Sequence, residues 1–391
     1  MKIYGSFLGM AVLFSGGGCR RSQPVIEVDV ARIDRGRIVE AADKYLNEAP
    51  LTITAFPAVR SAGGLHEFYS EGDYWWPNPD DPDGPYIRRD GMSNPDNFDA
   101  HRRVMVRLSL IVPALTAAYV VTGDETYATH AMAHLRAWFL DDETRMKSHL
   151  LYGQAIKGRV TGRGVGIIDT IHLIEVARSI KILAEAGIIE GQDLEGLKGW
   201  FAEYLRWMTT HEYGIDERDR TNNHGSCWVL QVSAFAQLVG DEETLTYCRE
   251  RFKTVLVPNQ IAEEGSFPLE LARTKPYSYS LFNLDILAAI CQVLSTSEDN
   301  LWEFSLPNGA GMRKAMEFMV PYIADKASWP YPPDVMYFDK YPIRQISLLF
   351  GGLAYREAGY IDLWGTLNPD PEEREALRNF PLRQPVLWVG G

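Results

Sequence analysis

The chain has 391 residues, 46% of them hydrophobic, and a formal net charge of −13. That length and apolar content suffice for a large core. An acidic balance argues against nucleic acid as a partner, where a basic face is expected, but it allows an anionic ligand in a local basic cleft.

The first 23 residues read as a leader. Lys2 is followed by an apolar run over residues 3–14, too short to span a membrane but long enough for a signal segment. Small residues then precede Cys19, as at a bacterial lipoprotein cleavage site. The expectation is export to the periplasm or outer membrane of a bacterium, with a lipid anchor at Cys19, and one domain over 24–391. No other stretch reads as long and apolar enough to be a transmembrane helix. The chain holds four cysteines and no CxxC pair, so neither a zinc ribbon nor a disulfide framework is indicated. Cys227, Cys248 and Cys291 sit in apolar sequence and read as buried thiols.

A helix is predicted at 33–47. Residues 50–96 differ in kind. They carry Tyr74-Trp75-Trp76-Pro77-Asn78-Pro79 and then Arg88-Arg89-Asp90-Gly91. Proline at this density forbids regular helix and leaves few ladder donors. Such a loop is more often functional than a mere connection, and Tyr74, Trp75, Trp76 and Arg88 are candidate sugar-subsite residues. Apolar residues at 3–4 spacing then predict a helix at 97–121, kinked at Pro113. Further helices are predicted at 125–140, 164–187, 192–210, 224–239, 242–255, 279–296, 309–325 and 342–358. Short strands are predicted near 257–270 and 328–338.

A helix, a Gly-Asp-Glu turn and a second helix recur at Gly123-Asp124-Glu125 and Gly240-Asp241-Glu242. Recurring helical hairpins suggest an array that closes into a toroid. The fold class is therefore all-α, an (α/α) toroid or incomplete α/α barrel with long loops and minor short strands. Such a fold places its cleft among the connecting loops at one end.

Two polar clusters lie where loops enter apolar helices. One is Arg220-Thr221-Asn222-Asn223-His224, with Asn222 or Asn223 as the N-cap. The other runs from Glu270 through Arg273 to Tyr277 and Tyr279. No GxSxG, HExxH or P-loop motif is present. A tyrosine serves as general base if a cation holds its hydroxyl near ionisation, and arginine supplies that field at all accessible pH. An amide and an imidazole can hydrogen-bond a carboxylate and stabilise an enolate-like intermediate. This set suits β-elimination from a uronic-acid polymer.

Asn222-Asn223-His224 entering an apolar helix, followed by Pro268-Leu269-Glu270-Leu271-Ala272-Arg273 and a tyrosine, resembles the alginate lyase superfamily of (α/α)-toroid polysaccharide lyases. The resemblance implies that Asn223 and His224 neutralise the substrate carboxylate and that Arg273 and a tyrosine do the proton work. Tyr279 is favoured over Tyr277, because Tyr279-Ser280-Leu281-Phe282-Asn283-Leu284 looks like the family's helix start. Asn222, Arg163 and Tyr277 join the substrate-binding candidates. The implied partner is an anionic polyuronate, polymannuronate or glucuronan, without cofactor or metal, and a monomer is expected. His101, Arg102, Arg103 and Arg159 are further basic candidates, His172 reads as core, and Arg273 has Glu270 as an alternative ion-pair partner. Two other functions stay open. A toroidal glycoside hydrolase needs a carboxylate pair from Asp99, Asp169, Glu264 and Glu270. A non-catalytic sugar-binding lipoprotein needs only the aromatic loop.

Overall fold

The computed structural model describes residues 27–389, so the leader and Cys19 lie outside the described residues. Five helices form an inner ring: Ala100–Thr122, Leu173–Glu185, Asn223–Val239, Pro276–Leu294 and Ile346–Tyr355. Each packs on the next in that order. Six more form an outer layer against them: Val30–Tyr45, Glu125–Phe139, Gly191–Thr210, Glu242–Arg251, Met312–Ala324 and Ala358–Thr366. The result is the expected (α/α) toroid. Inner helices are covered on most sides, so most of their surface is apolar. In Pro276–Leu294 every residue but Gln292 is buried. Ala100–Thr122 and Pro276–Leu294 are long and apolar enough to cross a membrane, contrary to the sequence reading. Their apolar windows are 67% and 94% buried inside the protein, as suits core helices.

The Gly-Asp-Glu turns work as caps. Gly123 and Gly240 end their helices with φ of 75° and 80°, a conformation that costs glycine little. Asp124 and Asp241 then accept from the backbone N–H of Thr126 and Thr244, opening the next helix. The C-terminal turn Pro385–Leu387 packs on the helices Val30–Tyr45, Ala100–Thr122 and Leu173–Glu185. Buried Glu175 holds that segment through the N–H groups of Arg383, Gln384 and the Trp388 indole.

Local differences from expectation have local causes. The helix predicted at 164–187 is split into a 3-10 turn, Gly164–Thr170, and the helix Leu173–Glu185. A Cβ on Gly166 would lie 2.6 Å from the Gly153 backbone, so the turn is shaped by that approach. The helix predicted at 242–255 is α-helical only to Arg251 and continues as a π turn, Phe252–Leu256. Pro113 sits inside Ala100–Thr122 without ending it. The strands predicted near 257–270 and 328–338 are absent; Val257–Gln260 and Pro268–Leu271 are short helices with proline in the first turn. The strands that do form are in and beside the proline-rich segment 50–96, the arm. Tyr69–Glu71 pairs in parallel with Tyr152–Ala155, and Trp75–Trp76 pairs antiparallel with Ile87–Arg88.

Candidate active site

A cavity of about 330 Å³ opens where three inner helices begin, and the arm closes its other side. Asn223 and His224 start Asn223–Val239, Tyr279 lies in the first turn and a half of Pro276–Leu294, and His172 caps Leu173–Glu185. Helix N-termini favour negative charge. The cavity is also lined by Arg88, Arg163, Arg220, Arg273 and Arg378 against Asp73, Asp169 and Asp216.

Each residue of the Asn-His pair is held from behind by a buried glutamate. Glu270 accepts from the Asn223 backbone N–H at 2.9 Å and from its Nδ2 at 3.0 Å. One amide N–H of Asn223 remains for a ligand. Glu217 accepts from His224 Nδ1 at 2.6 Å, leaving Nε2 as the ring nitrogen available to a ligand. Glu217 is fully buried and its Oε2 has no hydrogen-bond partner, so among the described residues His224 is the one side chain that its carboxylate hydrogen-bonds. Gly225 makes the turn possible, because a Cβ there would lie 2.0 Å from the Arg220 carbonyl oxygen.

The arm sets the opposite flank. Arg273 pairs with Asp90, Nε at 3.1 Å and Nη2 at 2.8 Å, and not with Glu270. Burial would push the Asp90 carboxyl up, but Arg273, Thr274 and Arg88 hold it at about 2. The Arg273 guanidinium lies 4.9 Å from the centre of the Tyr279 ring, and the Tyr279 hydroxyl is 2.5 Å from that of Tyr74. The sequence predicts a Tyr279 hydroxyl held near ionisation by the neighbouring arginine. Burial instead raises it above the ordinary tyrosine value, and Arg273 and Tyr74 offset only part of that rise.

Of the candidate residues, Tyr74, Trp75, Arg88, Arg163, Asn222, Asn223, His224, Arg273 and Tyr279 line the cavity together. Tyr277 and Trp76 do not. The Tyr277 ring is packed against Trp329 and Phe338, with its hydroxyl on the Tyr322 carbonyl. Trp76 is turned to Arg89 and donates to the Met92 carbonyl. Arg159 lies over Trp75, outside the cavity, and His101 is buried against the Tyr69 N–H and the Phe56 carbonyl. Arg102 is buried in ion pairs with Asp73 and Asp169, while Arg103 pairs with Asp99. His172, read as core, is buried at 1% exposure and also contributes to the cavity lining. Of the carboxylates considered for hydrolysis only Asp169 lines the cavity, and it is bound by Ser70 and Arg102. Arg163 binds the backbone and side-chain oxygens of Gln154 and forms no ion pair among the described residues; burial lowers it to about 10. Gln154 itself has a φ of 49°, rare for a non-glycine residue. Sequence reasoning missed the anchors Glu217 and Asp90 and the cavity residues Gln154, Asp216, Arg378 and Asn379. Only Asp216 left a signal, four residues before Arg220 on a charged stretch.

A family model described as alginate lyase matches residues 52–329. The crystal structure of an alginate lyase from Bacteroides ovatus is 31% identical, covers 90% of this chain and 94% of its own, and superposes with a TM-score of 0.79. Alginate lyase A1-III from Sphingomonas species A1 is 16% identical over 93% of this chain and 95% of that one, with a TM-score of 0.54. A histidine-to-alanine variant of A1-III, complexed with a tetrasaccharide, is 15% identical over 94% and 98%, with a TM-score of 0.59. The A1-III likenesses speak to the fold alone. Among curated proteins no sequence matches.

Proposed function

The chain belongs to the alginate lyase family and is a polysaccharide lyase, and from that premise we propose that it cleaves a 1,4-linked polyuronate by β-elimination at the cavity of Asn223, His224, Arg273 and Tyr279. The observation that carries this reading is the convergence of those four residues, with Arg163 beside them, on one cavity at the helix N-termini. The free amide N–H of Asn223 and the Nε2 of His224 take the carboxylate of the residue to be cleaved. Neutralising it stabilises the enolate-like charge that grows as the C5 hydrogen leaves. Tyr279, as phenolate, removes that hydrogen as a proton. The C4–O4 bond breaks as the C4–C5 double bond forms, and the new Tyr279 hydroxyl returns its proton to O4. Arg273, held by Asp90, and the Tyr74 hydroxyl stabilise the phenolate.

Mannuronate and glucuronate carry the C5 hydrogen and O4 on the same face, so one tyrosine can serve both steps. Guluronate carries them on opposite faces. The substrate class proposed is therefore polymannuronate or glucuronan. The test is ultraviolet absorbance of the unsaturated product on polymannuronate, polyguluronate and glucuronan in parallel. Absorbance is expected on the first, the third or both, and is lost in Tyr279→Phe. Absorbance confined to polyguluronate would overturn the single-tyrosine mechanism. New reducing ends without absorbance would overturn elimination itself.

A further inference from the structure

A second cavity, of about 410 Å³, lies beyond the first. Asp73 and Arg378 line both, and the ion pair between them is the partition. Its two members have other partners. Asp73 also receives Arg102 at 2.6 Å, and Arg378 also faces Glu375 at 3.5 Å. An incoming carboxylate can therefore replace Asp73 on Arg378 without leaving a buried charge alone, the situation that makes broken ion pairs costly.

The lining of the second cavity suits more of the same chain. Arg103, Arg107 and Arg374 stand along it. Asp99 is shared by Arg103 at 3.2 Å and Arg374 at 3.8 Å, so one carboxylate serves two guanidiniums. Their side chains are 49% and 75% exposed, free to turn toward a ligand. Tyr337 supplies an aromatic ring from a backbone with φ of 64°. Such strain in a non-glycine residue gathers at functional sites.

We propose that the second cavity is a further binding site for the polyuronate chain: residues beyond those in the first cavity pass the Asp73–Arg378 partition and set their carboxylates on Arg378, Arg374 and Arg103. This rests on the lyase reading above, and it makes affinity depend on chain length past what the first cavity holds.

The experiment is calorimetric binding of oligomannuronates and oligoglucuronates, from disaccharide to octasaccharide, to Tyr279→Phe protein, which binds without turnover. Affinity is expected to keep rising beyond the length that fills the first cavity. Adding Arg103→Ala and Arg374→Ala should weaken the longest ligand by about tenfold, the scale of a charge-assisted contact, and so collapse the long-to-short affinity ratio. Both arginines are exposed, so the fold should survive their loss. Affinity that levels off at the length filling the first cavity overturns the proposal, as does a ratio that the double substitution leaves unmoved. If no oligouronate binds at any length and wild type makes no unsaturated product, the lyase substrate reading has failed and this proposal goes with it.

Discussion

On the Asn223–His224 flank of the cavity, the polar groups are set from behind, by Glu270 and Glu217, which are 1% and 0% exposed. On the Arg273–Tyr279 flank they are set from the front, by Asp90 and Tyr74 of the arm. The first arrangement is part of the helical body and is in place before any ligand arrives. The second depends on a proline-rich segment being docked on the toroid. In the mechanism proposed above, the arm therefore takes part in proton transfer as well as walling the cleft. That can be tested flank by flank.

The largest effect is expected at Tyr279. Tyr279→Phe should lower kcat by roughly 10²–10⁴-fold, the usual contribution of a general base, with little change in KM. Because burial raises Tyr279 above its ordinary value of 10, it is protonated at neutral pH, and the reactive phenolate grows as pH rises. The logarithm of kcat/KM should therefore climb about one unit per pH unit from neutral into the alkaline range. A plateau reached near neutral pH would assign the base to another group. In the body flank, Glu217→Gln keeps the shape but removes the charge behind His224. A loss of roughly 10–100-fold in kcat/KM is expected, by analogy with carboxylates that orient metal-bound histidines. An unchanged value would mean that Glu217 serves packing alone.

What was legible in the sequence divides along the same line. Asn223, His224, Arg273 and Tyr279 stand out because polar residues interrupt apolar helix starts, and that pattern is local. The toroid was legible in the repeated Gly-Asp-Glu caps. Partners were not. Asp90 reaches Arg273 across 183 residues, and no spacing announces such a pair. Two errors had a readable cause. Trp75 and Trp76 are neighbours in a strand, so they face opposite sides; one lines the cavity and the other does not. Tyr277 and Tyr279 are two residues apart on a helix, about 200° around its axis, so only one can face the cleft.

The arm flank should yield smaller effects. Asp90→Asn keeps one hydrogen bond to Arg273 and removes the charge that anchors it. About 1.5 kcal/mol is at stake, the low end for a charged hydrogen bond, or roughly tenfold in kcat/KM. The same change should lower Tm slightly, since the arm loses an anchor, whereas an arm that acts only as a wall would change KM and leave kcat alone.

Tyr74→Phe is the smallest and the most discriminating. It removes one hydroxyl, 2.5 Å from that of Tyr279, whose extra stabilisation of the phenolate over the phenol is taken as about 1 kcal/mol. Tyr74 lowers the Tyr279 pKa by hydrogen bonding. Without it the tyrosine ionises at still higher pH, and less phenolate is present at any fixed pH. Activity at neutral pH should fall about fivefold, and the alkaline limb should move to higher pH while the limiting rate stays the same. Were Tyr74 only a surface for the sugar, the limb would stay in place and KM would rise at every pH. A shifted limb with an unchanged ceiling is the result that ties the arm to the proton.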